Sequence, residues 1–544
     1  MKKQIIGLKL THDAAVAAVT VGPGNEAKLD FSIEFEKINN MPRYTAAPSI
    51  EFALGALFKM EGVDVNDAHD VNIDGWRRPV LGLDVCAYED EACPTRRVVT
   101  ALPDICFATS TPHITNHITS AYTTAPFAGE DAYVLVWDGG ICPRLYEVSD
   151  GGIKFVSELM RFSGCMYGIM GYYAGPFKDA AVINTPYDKL DFATLLGGRD
   201  KPGKLMSWIG HGFPNQIVMD ACMRAYKSLP PGKRMRGMDE HQFVRAVIAE
   251  CTMDTEADIL ATIHAFLGQE LLMSLEMAMP KGKRLVFCGG CALNIKWNSM
   301  LRYSGHFSEL WIPPFPNDAG SAIGAAATSA WRLGVRKIAW DVYSGPQLPD
   351  VKAVPSGWVD RGVWTTDQLA AWMVENQSEV VAFMQGRAEI GPRALGHRSL
   401  FMLPQFSATK AILNAAKGRE AWRPVAPIVL ESDAPQLFFP GTRDKYMLFD
   451  HVLREGVAEK FPAIAHIDGT ARVQTVSVDA GGCVVVAALL RAIKKHTGVG
   501  MLCNTSANLN GSGFFPDGES AMHWGKAALV WVNGRVFIRA DRSA

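Results

Sequence analysis

The sequence predicts an α/β protein of two domains. Runs of β-branched and apolar residues alternate with segments of helical spacing along most of the chain. A strand that ends near an acid and a turn occurs twice, at Asp13 and at Asp138, and this repetition is consistent with a duplicated α/β fold. Proline, glycine and serine cluster at 341–357, as in a linker. We therefore expect domains at 1–345 and 360–544.

The individual elements follow from the same patterns. In the N-terminal part, strands are predicted at "IIGLKL", "AVAAVTV", "AKLDFSIEFEK", "DVNID" and "AYVLVWDGG", with a helix at "AAPSIEFALGALFKM". Residues 238–279 have helical spacing. After them we expect the strand "RLVFCGG", the helix "ALNIKWNSMLRY", the strand "ELWIPP" and the small-residue helix "FPNDAGSAIGAAATSAW".

Composition limits the class of protein. The chain has 544 residues, more than one hydrophobic core usually serves, with 48% hydrophobic and 20% charged residues. The net charge of −2 gives no overall field that would attract a polyanion. Eleven scattered cysteines favour a reducing compartment. No apolar run is long enough to cross a membrane or to form a signal peptide, so we expect a cytoplasmic protein with no membrane partner, and leave a homodimer open.

A metal site is suggested by "HITNH". His113 and His117 lie four residues apart, so on a helix both imidazoles share one face. Asp138 closes a hydrophobic strand, and Asp318 begins a glycine- and alanine-rich helix, where its simpler role is that of an N-cap. Two imidazoles with one or two carboxylates suit Fe(II), Mn(II) or Zn(II). A bare HxxxH is more often a pair of packed histidines, so the site depends on the carboxylates.

A phosphate site is suggested by four glycine- and proline-bounded segments of the C-terminal domain. They are "GRAEIGPRALGHRS", "KGREAWRP", "DGTARVQ" and "NTSANLNG". Arginine forks and lysine charges bind phosphate oxygens, and a serine hydroxyl adds a donor. The simpler alternative is a solvated basic surface, but few acids accompany these cations. We predict a polyphosphate pocket formed by the following residues: Arg393, Arg398, Lys417, Arg423, Arg472 and Ser506.

These residues carry a family resemblance. "THDAAVAAV", "HITNHITSAY", "VLVWDGG", "CGGCALN" and "PNDAGSAIGAA" resemble, in order, the pattern of the O-carbamoyltransferases of nodulation and antibiotic tailoring. "GPRALGHRS", "KGREAWRP", "HIDGTARVQTV" and "NTSANLNG" are similar to the C-terminal signature of that family. The family usually has a hydrophobic or aromatic residue at the position of Ala507, and often a second histidine at the position of Ile114 or Thr115. The stretch 74–108 follows no pattern that we can place.

The resemblance implies a fold and two half-reactions. A Kae1-like domain of the actin/Hsp70 type would be followed by a YrdC-like domain. The YrdC-like domain would form carbamoyl-adenylate from carbamoyl phosphate and ATP, with Mg(II) bound to the ATP. The Kae1-like domain would transfer the carbamoyl group to an acceptor hydroxyl on a natural product or sugar. The alternative acceptor is a 5-hydroxymethylated pyrimidine, as a nucleotide or in DNA such as 5-hydroxymethylcytosine DNA.

The resemblance also implies roles for residues. A divalent metal, Fe(II) before Mn(II) or Zn(II), would be held by a set of four residues: His113, His117, Asp138 and Asp318. His12 would accept the proton of the attacking alcohol, because an imidazole titrates near neutral pH. Asp13 would orient that ring or serve as a turn residue, with equal weight on each. Gly289 and Gly290 would let the backbone approach a nucleotide, with Asn294 beside them.

Three other functions compete with this interpretation. A metal-dependent hydrolase would use the HxxxH site but has no need of a phosphate pocket. A hydrogenase-maturation carbamoyltransferase would carry an acylphosphatase domain and paired-cysteine zinc motifs, which we do not expect here. A nucleotide-binding scaffold would need none of the catalytic residues. Trp76 and the arginines of 75–79 and 95–97 could stack on bases and grip phosphates, although an ordinary surface loop is slightly favoured.

Overall fold

The computed structural model describes residues 2–42, 50–76, 82–89, 95–102, 105–191, 194, 201–231, 237–477, 483–509 and 511–542. Its secondary structure is mixed α/β with several sheets, which confirms the α/β class, while the Kae1-like and YrdC-like folds stay predictions. The chain divides into two compact units. The first comprises Met1–Thr124 and Asp318–Ala544, and the second comprises Ala125–Asn317.

The first sheet of the first unit has the strand order β12-β3-β2-β1-β4-β6-β5. Its strands are β1 Lys3–Lys9, β2 Ala15–Val21, β3 Ala27–Glu34, β4 Asp70–Asp74, β5 Arg96–Leu102, β6 Ile105–Thr111 and β12 Ile338–Ala339. β1, β4 and β6 run parallel to one another, so their carboxyl ends meet at one edge.

Two helices pack beside this sheet, His113–Thr123 and Ser321–Arg332. The second is rich in small residues because its backbone comes very close to its neighbours. A Cβ added to Gly7 in β1 would lie 2.0 Å from the Ala322 carbonyl oxygen, and one added to Gly324 would lie 2.0 Å from that of Asn116. This close packing sets the position of both helices relative to the strand ends.

A larger sheet in the same unit has the order β13-β23-β22-β14-β15-β21-β16-β20. Its strands are β13 Trp358–Val363, β14 Val381–Met384, β15 Arg398–Met402, β16 Ala426–Leu430, β20 Gln474–Val476, β21 Met501–Ser506, β22 Leu529–Val532 and β23 Arg535–Arg539. A small sheet joins β17 Phe438–Phe439, β18 His451–Leu453 and β19 Thr470–Ala471. The other helices of the unit are Glu36–Asn39, Ile50–Met60, Thr366–Glu375, Thr409–Ala416, Ala434–Leu437, Val457–Lys460, Val484–Thr497 and Gly518–Trp524.

The second unit has a sheet of order β11-β10-β7-β8-β9. Its strands are β7 Ala132–Val136, β8 Arg144–Ser149, β9 Gly152–Glu158, β10 Arg284–Cys288 and β11 Glu309–Trp311. Its helices are Met166–Tyr173, Ala180–Asn184, Pro202–Trp208, Gln216–Lys227, Met238–Glu250, Glu256–Ala278 and Ile295–Tyr303. Trp137 and Trp297 stack in its core with ring centroids 4.8 Å apart.

The predicted elements are found with local differences. The helical region 238–279 is two helices, Met238–Glu250 and Glu256–Ala278. The small-residue helix starts with a 3-10 turn at Asp318–Gly320. Within the predicted linker 341–357, the segment 342–348 is held by backbone hydrogen bonds to both β3 and 386–390, so this part is packed against its neighbours. No helix in the described part of the chain has the length and apolar character needed to cross a membrane. The predicted boundary between domains 1–345 and 360–544 stays a prediction, as does the duplication.

Candidate active site

One edge of the first sheet collects ionisable side chains from strands that are far apart in sequence. Lys9 is the last residue of β1, and Asp74 is the last residue of β4. β6 ends at Thr111, and His113 begins the helix that follows. The parallel pairing of these strands therefore gathers chemistry-bearing groups at their carboxyl ends. We call the following set the histidine site: Lys9, His12, Asp13, Asp74, His113, His117 and Asp318.

His113 is oriented by a carboxylate. Its Nδ1 lies 2.7 Å from Asp74 Oδ2, and the other Asp74 oxygen accepts a hydrogen bond of 2.7 Å from Asn116 Nδ2. A carboxylate accepts only, so we assign the proton to Nδ1 and the lone pair of the ring to Nε2. This Nε2 lies 3.0 Å from His117 Nε2 and 3.4 Å from Asp318 Oδ1.

The three atoms that converge here fit a divalent metal. His113 Nε2, His117 Nε2 and Asp318 Oδ1 lie within 4.8 Å of one another, and all three side chains are buried. A carboxylate that holds the far nitrogen of a ligating histidine is the usual support of such sites. The helix predicted from HxxxH is confirmed, since His113 and His117 begin the helix His113–Thr123 and their rings meet. The fourth predicted ligand, Asp138, belongs to the second unit, where its Oδ1 accepts a 2.7 Å hydrogen bond from Gly290 N.

Lys9 is a member of the site that the sequence did not single out. Its Nζ lies 2.9 Å from Asp74 Oδ2 and 3.0 Å from Asp318 Oδ2, and its side chain is buried. Burial would lower the pKa of Lys9, but Asp318 and Asp74 raise it above its usual value. Burial would likewise raise the pKa of the Asp318 carboxyl, but Lys9, His113 and His12 hold it well below its usual range. Lys9 thus occupies Oδ2 of Asp318 and leaves Oδ1 toward the histidines.

His12 and Asp13 form a polar pair at the tip of the β1–β2 hairpin. Asp13 Oδ2 lies 2.8 Å from His12 Nδ1, while His12 Nε2 lies 3.5 Å from Asp318 Oδ2. Asp13 has a φ of +54°, in the left-handed region that non-glycine residues seldom adopt. Both predicted roles of Asp13 are therefore compatible with the geometry, because it makes the turn and it orients the ring.

Trp76 belongs to this neighbourhood as well. Its ring lies under Lys9 Nζ at 4.1 Å and edge-on to His12, Tyr88 and His113 at 5.0, 4.8 and 5.3 Å. The segment "GWRRP" was expected to be a surface loop or a base-stacking surface. Trp76 instead packs on the histidine site, while residues 77–81 lie outside the described residues.

The predicted phosphate residues gather at one end of the larger sheet. β16 and β20 are parallel and begin just after Arg423 and Arg472, whereas the antiparallel β21 ends at Ser506. β15, also antiparallel to β21, starts where β21 ends, since Ser399 pairs with Ser506. The loop 391–397 before β15 is held at this end because Asn504 Nδ2 donates to the Ala394 carbonyl at 3.0 Å, which brings Arg393 to the same edge.

Lys417 lies at the centre of this group, at the end of the helix Thr409–Ala416. Its Nζ donates to Ser506 Oγ at 2.9 Å, to the Ser506 carbonyl and to Asn508 Oδ1. Burial, then Arg419 and Arg423, lower the pKa of Lys417 well below its usual value. We call four mutually interacting residues the cation cluster: Lys417, Arg419, Arg423 and Arg472.

The cation cluster carries more positive charge than its two acidic neighbours, Glu420 and Asp444, offset. Burial together with Arg423 and Arg472 lowers the pKa of Arg419 to about 9, and burial with Arg423 lowers that of Arg472 to about 10. The Nε atom of Arg472 is shielded from solvent and has no hydrogen-bond partner among the described residues. Such an arrangement is suited to a polyanion. Arg419 lies in the predicted phosphate segment "KGREAWRP", but it is not among the residues predicted from the sequence.

Arg398 differs from the other predicted cations. Its guanidinium donates to four backbone carbonyls, those of Gln385, His397, Pro346 and Gly386, at 2.9 to 3.3 Å. This pattern indicates a role in holding the loop before β15, so we leave Arg398 out of the phosphate site.

The predicted nucleotide residues of "CGGCALN" lie in the second unit. Gly289 has a φ of +91°, and a Cβ there would lie 2.3 Å from the Trp137 carbonyl oxygen, so this position requires glycine. Asn294 caps the helix Ile295–Tyr303 by accepting from Trp297 N at 3.2 Å, and it donates to the Tyr167 hydroxyl. These contacts account for the local structure, and a nucleotide role for the three residues stays a prediction.

Nearly the whole chain is similar to proteins of one family. A family model of the carbamoyltransferase N-terminus matches residues 95–327, and one of the carbamoyltransferase C-terminus matches residues 373–530. Nodulation protein U of Azorhizobium caulinodans is 40% identical, with 97% of each chain covered. The 3'-hydroxymethylcephem-O-carbamoyltransferase of Amycolatopsis lactamdurans is 32% identical, with 94% of each chain covered. A solved structure of full-length HypF covers 62% of this chain and 56% of its own at 12% identity, and its TM-score of 0.35 is too low to support an inference.

Proposed function

This chain belongs to the carbamoyltransferase family, and we propose that it carries out the ATP-dependent carbamoylation of a hydroxyl group in two steps. The first step joins ATP, carbamoyl phosphate and one water to give carbamoyl-adenylate, pyrophosphate and phosphate. The second step moves the carbamoyl group from the adenylate to an alcohol and releases AMP. The transferase activity follows from the family, and the ATP-dependent route is the proposal.

The observation that carries this proposal is the cation cluster. A transferase that only moved a carbamoyl group from carbamoyl phosphate would need to bind one phosphate. Four neighbouring cations, three of which have pKa values lowered by burial and by the other cations, match a larger polyanion such as a nucleoside triphosphate together with a second phosphate compound. We assign the first step to this end of the larger sheet, in the proposed YrdC-like domain 360–544. Arg393, Lys417, Arg423, Arg472 and Ser506 would hold the phosphates, joined by Arg419 and by Mg(II) on the ATP.

We assign the second step to the histidine site, in the proposed Kae1-like domain 1–345. His12 would take the proton of the alcohol at Nε2, because its Nδ1 faces Asp13. Asp13 would keep that tautomer and stabilise the imidazolium that forms. The hairpin is fixed beside buried Asp318 and Lys9, so the base would have little freedom to turn away.

His113, His117 and Asp318 would hold a divalent metal, with Asp138 as the predicted fourth ligand and Fe(II) before Mn(II) or Zn(II). When bound, such an ion supplies Lewis-acid stabilisation for the charge that develops on the AMP leaving group. The contribution of the chain is to keep Nε2 of His113 and Oδ1 of Asp318 turned inward. Asp74 does this for His113 by accepting its Nδ1 proton, and Lys9 does it for Asp318 by pairing with Oδ2.

The acceptor is proposed to be a hydroxyl-bearing small molecule, a sugar or another natural product. A hydroxymethylated pyrimidine would need an exposed aromatic side chain on which to stack. Trp76, the aromatic residue expected to supply it, has its ring against Lys9, His12, Tyr88 and His113. Because the half-buried Trp76 ring is already in contact with these four side chains, we favour the small-molecule class over hydroxymethylated nucleotides or DNA.

The proposed function is tested by mass spectrometry. The protein is incubated with ATP, carbamoyl phosphate and a panel of alcohols that includes glycosides, nucleosides and hydroxymethylcytosine DNA. We expect one panel member to gain a single carbamoyl group, with AMP, pyrophosphate and phosphate formed in equal amounts. Carbamoylation at the same rate without ATP would refute the adenylate route.

A further inference from the structure

The loop that carries Arg393 is held by residues of the first sheet. We call residues 386–397 the arginine loop. Arg387 in this loop makes a bidentate ion pair with Glu61 at 3.0 and 3.1 Å, and Gly391 N donates to Glu34 Oε1 at 2.7 Å. Glu61 follows the helix Ile50–Met60 and Glu34 ends β3, so both contacts join the loop to the N-terminal part of the same compact unit.

Lys37 is the centre of this attachment. It is 2% exposed, and its Nζ donates to Glu34 Oε1 at 2.8 Å, to the Gly391 carbonyl at 2.8 Å and to the Glu389 carbonyl. These bonds use the three donor positions of the ammonium group, so Lys37 is fully engaged without any ligand. Two of the three hydrogen bonds of this buried ammonium group go to carbonyls of the arginine loop, so Lys37 fixes the backbone conformation there.

The loop is also braced from within. Glu389 Oε1 accepts from Leu395 N at 2.5 Å and from His397 N and Arg398 N at 3.3 Å each. Glu389 and Gly391, whose carbonyls accept from Lys37, both lie shortly before Arg393 in this loop. A change at Lys37 would be transmitted to the arginine through no more than a few bonds of backbone.

The segment around Lys37 also touches a second loop of the phosphate site. Gly513 N donates to the Asn40 carbonyl at 3.1 Å, and a Cβ on Gly513 would lie 2.2 Å from the Glu36 carbonyl oxygen. Gly513 follows Ser506 and Asn508, the partners of Lys417. At its other end the segment contacts the β1–β2 hairpin that carries His12 and Asp13, because Phe35 N donates to the Ala14 carbonyl at 2.9 Å.

We propose that Lys37, together with Glu34, is a positioning residue for the first half-reaction: it presets the arginine loop so that Arg393 meets the phosphate-bearing substrate. This inference rests on the proposed function, because it takes Arg393 to be a phosphate ligand. It adds to that function a residue of the short helix Glu36–Asn39, which follows β3, that touches no substrate and sets the affinity of the phosphate site. The cost of ordering the loop is then met during folding and not at each binding event.

The test begins with the loop itself and needs no activity. Lys37→Met keeps the buried stem and removes the ammonium group. Hydrogen–deuterium exchange of the full chain should show the amides of 386–397 exchanging about tenfold faster, with the helix His113–Thr123 unchanged. Arg161→Met, which breaks an ion pair with Asp239 in the second unit, is the matched control and should leave the arginine loop unchanged. Unchanged exchange in the loop, or a uniform rise throughout the chain, would overturn the proposal.

The second readout is kinetic. In carbamoyl-phosphate-dependent ATP–pyrophosphate exchange, Arg393→Ala should raise KM for one of the two substrates. Lys37→Met should raise the same KM about tenfold with kcat changed by less than about twofold. In the Arg393→Ala background Lys37→Met should add less than about twofold, since it acts through that arginine. Independent, multiplying effects would contradict a positioning role.

Two further outcomes are separable. If Lys37→Met does not fold, Glu34→Gln serves instead, since it keeps an acceptor for Gly391 N and removes the charge that pairs with Lys37; it should shift exchange and KM in the same direction. If the wild-type protein shows no carbamoyl-phosphate-dependent exchange at all, the proposed function fails. In that case the amide-exchange arm still decides whether Lys37 holds the loop.

Discussion

The histidine site and the cation cluster bury ionisable groups in opposite ways. In the histidine site each charge has a partner of opposite sign, as where Lys9 lies between Asp74 and Asp318 at 2.9 and 3.0 Å. Those neighbours stabilise the charged forms, so the pKa of Lys9 is raised and the pKa of Asp318 is lowered. In the cation cluster Lys417 and Arg419 have like-charged neighbours, and their pKa values are lowered.

The difference indicates what each place is built to receive. A balanced network in which Asp74 holds His113 and Lys9 holds Asp318 from outside can accept a metal ion while those outer contacts are kept. A group of mostly buried cations whose charge exceeds that of its acidic neighbours is stabilised when an anion binds. The two places therefore call for ligands of opposite charge, as the two proposed half-reactions require.

The largest expected effect is that of Lys417→Met. Removing the central ammonium group should reduce both pyrophosphate exchange and carbamoyl transfer by about 10³-fold, since transfer depends on the adenylate. Rates of both reactions are measured on the same preparation. Lys494→Met, which removes a half-exposed lysine paired with Asp433, is the control and should stay near the wild-type rates. Normal exchange in Lys417→Met would mean that the cation cluster is not the adenylation site.

His113→Ala should separate the two halves. Transfer to the acceptor should fall by about 100-fold or more, while pyrophosphate exchange stays within about twofold of wild type. Product formation is followed by mass spectrometry, and the metal content of the purified variant by elemental analysis. Transfer at the wild-type rate would show that the metal assignment is wrong.

Lys9→Met should weaken the metal site without touching the cation cluster. Asp318 would lose the partner of its Oδ2, so its Oδ1 would no longer be fixed toward His113 and His117. We expect metal affinity to fall by about 10- to 100-fold, measured by competition with a chelator. Lys28→Met, at an exposed position of the same sheet, is the control. Equal affinity in both variants would remove Lys9 from the site.

The smallest expected effect is the uptake of a proton when ATP binds. Burial, together with Arg419 and Arg423, lowers the pKa of Lys417 well below its usual value in the free protein, so its neutral form is populated more readily than that of an exposed lysine. A bound polyanion favours the ammonium form and raises that pKa, so binding should take up a proton, at most about one per site. Calorimetry of ATP binding in buffers of different ionisation enthalpy measures the number and its sign. Release of protons would contradict the balance of charges described for the cation cluster.

Part of the histidine site can be predicted from residues that are close together in the sequence. His113 and His117 share a face because helical spacing requires it, and the hairpin places His12 beside Asp13. Lys9 and Asp74 carry no such local signal. They lie 65 residues apart and meet only because β1 and β4 pair in parallel, which one sequence without its topology does not reveal.

The cation cluster also shows a limit of prediction from one sequence. Composition pointed to the right segments, and strand polarity brings most of the selected residues to one end of the sheet. It could not distinguish Arg398, whose guanidinium is consumed by backbone carbonyls, from Arg419, which joins the cluster. That distinction depends on how the backbone of 385–397 turns, and residue type alone does not fix it.

The division into two half-reactions is tested most directly by isotope exchange in the wild-type protein with no acceptor present. Labelled pyrophosphate should enter ATP only when carbamoyl phosphate is added, and at a rate that chelation of a transition metal leaves unchanged when Mg(II) is kept in excess. The account is contradicted if no label enters ATP, or if label enters equally well without carbamoyl phosphate.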